Sequence, residues 1–270
     1  MMASWIYFSI FSITVFALST SANEHSKVEF GYTGPNGPKK WGSLSPKYEA
    51  CSKGKAQSPV NIAKAGVVRN KKLKPLKRHY IPTNASLINN KYNIEVQFEG
   101  KVGDININGK NYSLKQLHWH SPSEHRANGH KLAAELHLVH HTEDDNIAVV
   151  AILYKLGAPN PLLSKIEDKL IKLGKETHAG NKNVTIVLGT LDLKELNRRS
   201  RRYYRYVGSL TTPPCKEGVI WNIISKVRTI SKKQLKLLKA PLNQENKKNA
   251  RPIQPLNGRK IQTYHKPSHV

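Results

Sequence analysis

Two histidines at alternating positions, His118 and His120, lie in the segment Gln-Leu-His-Trp-His. Because successive side chains of a β-strand point to opposite faces, Gln116 would share one strand face with both imidazoles. The segment 135–137 would likewise bring Glu135 and His137 to one face of a second strand. Neighbouring strands lie about 4.8 Å apart, so His137 can complete a group of three imidazoles. Three imidazoles without a fourth protein ligand suit a catalytic zinc ion, which keeps one position open for water. We predict a zinc site at His118, His120 and His137.

A His-x-His pair by itself is more typical of an ordinary half-exposed strand face than of a metal site. The neighbouring residues favour the metal site, because a metal-bound histidine usually donates its other ring N–H to an acceptor. Gln116 and Glu135 each lie two residues from a candidate ligand and supply such acceptors. A structural zinc ion usually takes four ligands, often thiolates. The chain has 2 cysteines, far apart in sequence, which disfavours a structural site.

Alternating apolar and polar residues mark the strands that would carry these side chains. Together with a more continuous apolar run at 147–156, they predict strands over 94–98, 105–107, 114–120, 132–140, 147–156 and 219–224. Asn-Gly dipeptides at 108–109 and 128–129 predict hairpin turns. The sequence therefore favours a β-dominated chain.

Helical spacing is brief. It begins after Pro161 and is predicted to stop at Gly174, and it returns after a possible capping box formed by Ser231 and Gln234. We expect a few short surface helices.

The N-terminal segment 1–22 is apolar, lacks charged side chains and ends in small residues, which predicts a signal peptide. A retained N-terminal anchor is the alternative. Length alone leaves two small domains or one large β-rich domain for residues 23–270. The absence of a linker, a low-complexity segment or an internal repeat favours a single domain.

Cys51 and Cys215 occur in a chain that is predicted to enter an oxidising compartment. One disulfide is the favoured interpretation, and two free thiols are the alternative. Glycosylation sequons at Asn84, Asn111 and Asn183 fit the same compartment. We predict passage through the secretory pathway to the extracellular space or cell wall.

Basic residues dominate the charge: 44 Lys and Arg stand against 18 Asp and Glu, for a formal net charge of +26. Such a charge raises the question of nucleic-acid binding, but no RNA- or DNA-binding motif is present and a secreted protein rarely meets nucleic acid. We predict no nucleic-acid partner. Two interpretations of the basic runs at 69–78, 198–205 and 226–248 stay open: a solvated surface, or adhesion to an acidic cell-wall polysaccharide.

The order and spacing of five motifs resemble those of an α-carbonic anhydrase of the secreted plant type. They are the segments 57–62 (QSPVNI), 116–120 (QLHWH), 123–125 (SEH), 134–140 (AELHLVH) and 208–215 (GSLTTPPC), and the similarity runs from about residue 30 to about residue 264. The resemblance implies one domain on a large, twisted, mostly antiparallel sheet with short surface helices. It also implies zinc as cofactor, carbon dioxide and bicarbonate as substrates, and a disulfide between Cys51 and Cys215.

Site roles follow from the resemblance by position. His118, His120 and His137 correspond to the zinc ligands, and Gln116, Glu135 and the backbone carbonyl of Asn249 to the groups that orient them. Thr211 is implied to orient the oxygen that attacks carbon dioxide while donating its hydroxyl hydrogen to Glu124. The Thr211 N–H and the Thr212 hydroxyl are implied to contact bicarbonate. The apolar wall for carbon dioxide is implied to comprise Val139, Val149, Leu210 and Trp221.

One position departs from the family pattern. Tyr92 stands where the family usually has its proton-shuttling histidine. An imidazole titrates near 6.5, whereas a phenol titrates near 10, so a phenol rarely acts as a base at neutral pH. The sequence therefore predicts reversible carbon dioxide hydration with slowed proton export.

Two other functions remain open. The resemblance extends to plant storage, defence and nectar proteins on this scaffold, which predict a storage, defence or wall-binding protein with little activity as the alternative. A zinc esterase acting on another substrate is disfavoured because Val139 and Leu210 leave little space near the metal. The resemblance also leaves the plastid stroma, reached through the secretory route, as an alternative destination.

Overall fold

The structure is a computed structural model that describes residues 28–181, 184–197 and 200–266. The predicted signal peptide at 1–22 and the sequon residue Asn183 lie outside the described residues. Within these ranges, no helix has the length and apolar character needed to cross a membrane.

Strands dominate the described chain. Their bounds are β1 Asn61–Ile62, β2 Val67–Arg69, β3 Arg78–Tyr80, β4 Thr83–Asn89, β5 Ile94–Phe98, β6 Gly103–Ile107, β7 Lys110–His120, β8 Arg126–Ala127, β9 Ala134–His141, β10 Ile147–Leu156, β11 Thr185–Leu191, β12 Arg202–Ser209, β13 Glu217–Ile230 and β14 Ile261–His265. The helices are α1 Trp41–Leu44, α2 Ala50–Lys53, α3 Pro161–Lys165, α4 Glu167–His178 and α5 Lys232–Lys239. The prediction of a β-dominated fold with short helices is confirmed.

Twelve of the described strands form one mixed sheet in the order β11-β4-β5-β7-β9-β10-β13-β12-β14-β2, with β6 pairing to β7 and β3 to β6. Only β10 with β13 and β14 with β2 pair in parallel within this sheet, so the prediction of a mostly antiparallel sheet is also confirmed. β1 and β8 pair separately. The three strands β7, β9 and β10 lie side by side near the centre of the order, and two of them carry the predicted metal ligands.

Because side chains alternate along a strand, the two faces of these central strands pack in different apolar clusters. Leu136 and Leu138 of β9 join a large core that also contains leucines of α3, α4 and α5. Val139 of β9 and Val149 of β10 belong to a second cluster on the other face. Strand β10 is buried on both faces from Ile147 to Tyr154, which explains its continuous apolar run. The face with the second cluster is the one on which His137 lies.

The strongest sequence patterns match the structure closely. The strands predicted at 94–98 and 147–156 have the bounds of β5 and β10. The other four predicted strands are found with different ends, and β13 extends six residues beyond the predicted end at 224. Polar residues continue these strands because backbone pairing does not depend on side-chain polarity. The remaining strands were not predicted: β1, β2, β3, β4, β8, β11, β12 and β14.

The helix predicted between Pro161 and Gly174 is wrong in its extent. The structure divides it at Ile166 into α3 and α4, and α4 continues past Gly174 to His178. Gly174 is buried, and an added Cβ there would lie 3.6 Å from Cβ of Ala240. A Cβ at that distance would make ordinary van der Waals contact, so Gly174 lies inside α4 without ending it and without being required by the packing. The predicted capping box of Ser231 and Gln234 is confirmed at the start of α5.

The Asn-Gly turn between β6 and β7 is confirmed. Asn108 and Gly109 have φ values of 53° and 86°, the left-handed conformation that a two-residue hairpin turn requires. The turn fixes the register of β6 with β7, which begins at Lys110. The other end of β7 carries His118 and His120.

A disulfide joins Cys51 to Cys215 with an S–S distance of 2.03 Å, as predicted. It links α2 to the loop before β13, and it packs in a cluster with the aromatic rings of Phe30, Tyr32 and Trp41.

Candidate metal centre

The three predicted ligands meet on the sheet face opposite the helix-packed core. His118 of β7 lies directly opposite His137 of β9 in the strand register, and His120 follows two residues later on the same face. Nε2 of His118 lies 3.1 Å from Nε2 of His120 and 3.3 Å from Nδ1 of His137. All three nitrogens lie within 4.8 Å of one another.

Each imidazole is held through its other ring nitrogen by a different acceptor. Gln116 Oε1 lies 2.8 Å from His118 Nδ1, and Glu135 Oε1 lies 2.8 Å from His137 Nε2. The backbone carbonyl of Asn249 lies 2.6 Å from His120 Nδ1. These oxygens carry no hydrogen, so each outer nitrogen must be the N–H donor. The three inner nitrogens are then bare lone pairs that face one another.

Burial favours the neutral form of two of the three imidazoles, His118 and His120. Burial lowers the pKa of His118 well below its ordinary value, and the neighbouring His120 and His137 rings lower it further. Burial also lowers the pKa of His120, although the Glu124 carboxylate opposes that shift. Burial alone would raise the pKa of Glu135, but the His125 and His137 rings and their hydrogen bonds outweigh it and hold the pKa well below its usual range. The neutral rings of His118 and His120 can offer lone pairs to a cation, and the ionised Glu135 adds a negative charge beside His137.

This arrangement fits zinc. A tetrahedral zinc ion with bonds of about 2.05 Å to nitrogen sets neighbouring ligand nitrogens about 3.3 Å apart. The two separations measured from His118 Nε2, 3.1 and 3.3 Å, agree with that spacing. Three converging lone pairs without a hydrogen between them would repel, and a shared cation removes that repulsion.

A buried hydrogen-bond chain leads away from His137 and was not predicted as part of the site. Oε1 of Glu135 also lies 2.6 Å from His125 Nδ1, and Oε2 accepts from the backbone N–H groups of Glu124 and His125. His125 Nε2 lies 2.7 Å from the Tyr206 hydroxyl, which lies 2.8 Å from Ser58 Oγ. His125, Glu135 and His137 could by distance hold a metal, but hydrogen bonds already occupy Glu135. We assign this group to orientation of His137.

The predicted hydrogen bond between Thr211 and Glu124 is not formed in this structure. Both residues are buried, but among the described residues Glu124 Oε2 has no hydrogen-bond partner. Oε2 lies 3.5 Å from His120 Nε2, and Oε1 accepts from the backbone N–H of Arg251 at 2.9 Å. The carboxylate is therefore turned toward the imidazoles, and its pairing with Thr211 stays a prediction.

The residues predicted to form an apolar wall come together beside the imidazoles. Val139, Val149 and Trp221 belong to one buried cluster, and Leu210 packs against it. The ring centroids of Trp221 and His137 are 4.9 Å apart. Thr212, predicted to contact substrate, is half-buried in the irregular loop before β13.

Tyr92 lies outside this cluster of imidazoles. Its ring stacks on Phe30, with centroids 3.8 Å apart and planes 9° from parallel. Its backbone carbonyl accepts a hydrogen bond from the side chain of Asn249, whose own carbonyl holds His120. The Tyr92 ring therefore packs against the aromatic cluster that contains Phe30, Tyr32 and Trp41.

Arg251 is a further residue that sequence reasoning missed. Its buried guanidinium donates to the side chain of Gln57 and to the carbonyls of Ser58 and Cys51, while its backbone N–H donates to Glu124. A single arginine in a basic C-terminal segment carries no local signal of such a role.

Two of the predicted sequon residues, Asn84 and Asn111, are exposed on β4 and β7. Their exposure permits a glycan, and glycosylation stays a prediction.

Comparisons with known proteins agree with this geometry. A family model described as "Eukaryotic-type carbonic anhydrase" matches residues 36–265. Alpha carbonic anhydrase 7 of Arabidopsis thaliana is 42% identical over 269 residues, which cover 97% of this chain and 96% of that protein. Dioscorin dioA3 of Dioscorea japonica is 39% identical over 250 residues, covering 93% of this chain and 90% of that protein. A solved structure titled as dioscorin complexed with ascorbate is 40% identical, with a TM-score of 0.84, and the match covers 89% of this chain and all of that one. This chain belongs to the family of eukaryotic-type, α-class carbonic anhydrases, which is zinc-dependent.

Proposed function

We propose that this protein is a zinc-dependent carbonic anhydrase that catalyses the reversible hydration of carbon dioxide to bicarbonate and a proton. One observation carries the proposal: three inner imidazole nitrogens converge, and each ring is fixed by its own acceptor, Gln116 Oε1, Asn249 O or Glu135 Oε1. Preserving three such oriented ligands has no evident use in a protein that binds no metal.

His118, His120 and His137 would hold the metal. When bound there, zinc acts as a Lewis acid and lowers the pKa of a water molecule toward neutrality, as is established for carbonic anhydrases. The cluster of Val139, Val149 and Trp221 offers an apolar surface on which carbon dioxide can rest and from which water is excluded.

Orientation of the attacking oxygen falls to Thr211 and Glu124. Oε2 of Glu124 is a buried acceptor without a hydrogen-bond partner among the described residues, so it can accept the hydroxyl hydrogen of Thr211 and leave the Thr211 oxygen free to accept in turn. A positional error of about 1 Å in such an arrangement can cost about 100-fold in rate. The Thr211 N–H and the Thr212 hydroxyl would then contact bicarbonate.

Proton export is proposed to be slow because Tyr92 occupies the shuttle position. Its ring is stacked on Phe30, and phenols in general are poor bases at neutral pH, so we expect protons to leave through solvent or buffer. Stopped-flow hydration assays with and without imidazole test this. Imidazole should raise the maximal rate of the wild type, and Tyr92→His should raise it without buffer by about tenfold or more.

Tyr92→Phe is the matched control, because it keeps a ring that can stack on Phe30 and removes the hydroxyl. Its rate should equal that of the wild type. If neither imidazole nor Tyr92→His raises the maximal rate, proton export does not limit turnover and the proposal for Tyr92 fails.

The dioscorins among the relatives favour a second candidate, a storage, defence or wall-binding protein with little activity. Metal analysis separates the two functions. The enzyme should be purified with one zinc ion per chain, and a chelator should abolish hydration until zinc is restored. A protein that takes up no zinc, or zinc-loaded protein that hydrates carbon dioxide no faster than buffer, would favour the second candidate.

Passage through the secretory pathway is proposed from the Cys51–Cys215 disulfide, which is typical of an oxidising compartment. Mass spectrometry of the protein made in plant cells should find a mature N-terminus near residue 23 and glycans on Asn84, Asn111 or Asn183. Cell fractionation then distinguishes the cell wall from the plastid stroma.

A further inference from the structure

Cations are concentrated along the sheet edge formed by β12, β14 and β2, away from the imidazoles. Two grooves open there. The first, of about 650 Å³, is lined by Lys72, Arg205, Arg259 and Lys260, and its lining contains no carboxylate. The second, of about 920 Å³, is lined by Arg78, Arg201, Arg202, Lys226 and Arg228. Its one lining carboxylate, Glu195, is paired with Lys165.

Both grooves open on the same face of β13. Ile220 lines the first and Ile224 and Lys226 line the second, and alternation along a strand puts these residues on one face. The loop 70–77 passes between the grooves, where the Tyr203 hydroxyl donates a hydrogen bond to the Lys74 carbonyl. This loop adds exposed lysines at positions 71, 72, 74 and 77. Grooves and loop together form a continuous basic face.

Three exposed cations of this face have no acidic partner within the part of the chain that the structure describes. Arg202, Lys226 and Lys260 are exposed, and none of them pairs with a carboxylate of the described ranges. The opposite edge of the sheet differs, because α4 covers β4 and β11 there and carries Glu167, Asp168 and Glu176 among its lysines. Arg202, Lys226 and Lys260 therefore stand without the acidic residues that are interspersed among the lysines of α4.

The length of the face favours a polymer over a small anion. Ile220 and Ile224 of β13 line different grooves on the same strand face and are four residues apart, which is about 14 Å along a strand. A single phosphate or carboxylate would contact one groove, whereas an extended chain with repeated charges would contact both.

The chemistry of the lining favours a polysaccharide over a nucleic acid. Nonspecific binding of single strands relies on exposed aromatic rings on which bases stack. The one aromatic ring among the lining residues, Tyr206, is 2% exposed. Amides and hydroxyls from Asn70, Gln262, Ser225 and Thr229 stand among the cations and suit sugar hydroxyl groups. The disulfide also indicates a compartment in which acidic polysaccharides, and not nucleic acids, are the abundant polyanions.

We propose that this basic face binds a linear polyuronate, an acidic polysaccharide with a carboxylate on each sugar, and thereby tethers the enzyme to an extracellular matrix. The binding is independent of zinc and of the hydration reaction, because the face does not include the imidazoles.

Titration of the zinc-loaded full-length protein with polygalacturonate tests the proposal. The double variant Arg202→Glu, Lys226→Glu should bind about tenfold or more weakly, since each substitution removes an attraction to the polymer's carboxylates and adds a repulsion. The matched control Lys172→Glu, Lys175→Glu makes the same change of net charge on exposed residues of α4 and should bind within about threefold of the wild type. All three proteins should hydrate carbon dioxide at the same rate.

Equal weakening in both double variants would overturn the proposal, because binding would then follow net charge alone. Duplex DNA that displaces polygalacturonate at equal charge concentration would overturn the choice of a polysaccharide. A second measurement does not depend on variants: bound polygalacturonate should protect Lys72, Lys226 and Lys260 from acetylation more than Lys172 and Lys175. Uniform protection would also contradict the proposed face.

Discussion

Glu135 accepts four hydrogen bonds in a fully buried position, so Glu135→Gln is a sharp test of the site. Its Oε1 receives the ring N–H groups of His125 and His137, and its Oε2 receives the backbone N–H groups of Glu124 and His125. Glutamine has almost the same shape but only one acceptor oxygen. Its amide NH₂ must therefore face two donors, whichever way the side chain is turned.

Each orientation of the glutamine has a defined cost. If the NH₂ faces the backbone, two buried donors lose their acceptor, at about 1–3 kcal/mol each. If it faces the rings, His137 must turn its outer nitrogen into an acceptor, which moves the hydrogen to the inner Nδ1 that would bind zinc. We therefore expect the metal-free variant to be about 2–6 kcal/mol less stable or zinc binding to be about 10- to 100-fold weaker.

Two measurements on the same preparations separate these outcomes. Urea unfolding of the metal-free protein reports stability, and competition with a chelator reports zinc affinity. Glu143→Gln, which makes the same charge change at an exposed residue, should leave both unchanged. A Glu135→Gln protein that unfolds at the wild-type urea concentration and binds zinc within about twofold of the wild type would refute the assigned role of Glu135.

Three further predictions concern stability. The double variant Cys51→Ala, Cys215→Ala opens a link between residues 164 apart and should lower the free energy of unfolding by about 5 kcal/mol in the chain-entropy model; a loss below about 1 kcal/mol in urea unfolding would contradict it. Burial lowers the pKa of His140 from its ordinary 6.5 to about 3, so below pH 6.5 only the unfolded chain takes up this proton. Between pH 6.5 and about pH 3, this group should therefore lower the free energy of unfolding by about 1.4 kcal/mol for each unit by which the pH falls. His140→Gln should remove this contribution from the slope of unfolding free energy against pH, and an unchanged slope would exclude a contribution from His140. Ser231→Ala removes the cap whose Oγ accepts from the Gln234 N–H and should lower the free energy of unfolding by about 1 kcal/mol in thermal unfolding, with no effect expected from Ser43→Ala at an exposed position of α1 that is not its N-cap.

Local patterns account for the parts of the fold and site that could be predicted. Strand parity placed Gln116, His118 and His120 on one face, and the hydrogen bond from His118 to Gln116 agrees with it. Alternation of apolar and polar residues predicted β5, and a continuous apolar run predicted β10, each with its correct ends. The predicted helix end at Gly174 was wrong, because a glycine that ends a helix and one that lies inside a helix look alike in sequence.

Contacts between distant segments could not be read in this way. Nothing local to Asn249 indicates that its backbone carbonyl holds His120, 129 residues earlier. Strand β10 pairs in parallel with β13 and not with its sequence neighbour β11, and this pairing places Val149 opposite Trp221. The orientation of Glu124 toward His120, in place of Thr211, likewise depends on how the Arg251 segment packs against it.

Residue types alone indicated which side chains could bind a metal and which cysteines could form a disulfide. The period of a strand indicated that the metal-binding side chains alternate along two strands. Three features depend on the tertiary structure. His118 lies opposite His137 in the sheet, and His118 Nε2 lies 3.1 Å from His120 Nε2 and 3.3 Å from His137 Nδ1. Basic side chains from distant segments line the two grooves near β12 and β13. Those features follow from strand pairing over long sequence separations, which the packing of the whole domain selects and no short segment encodes.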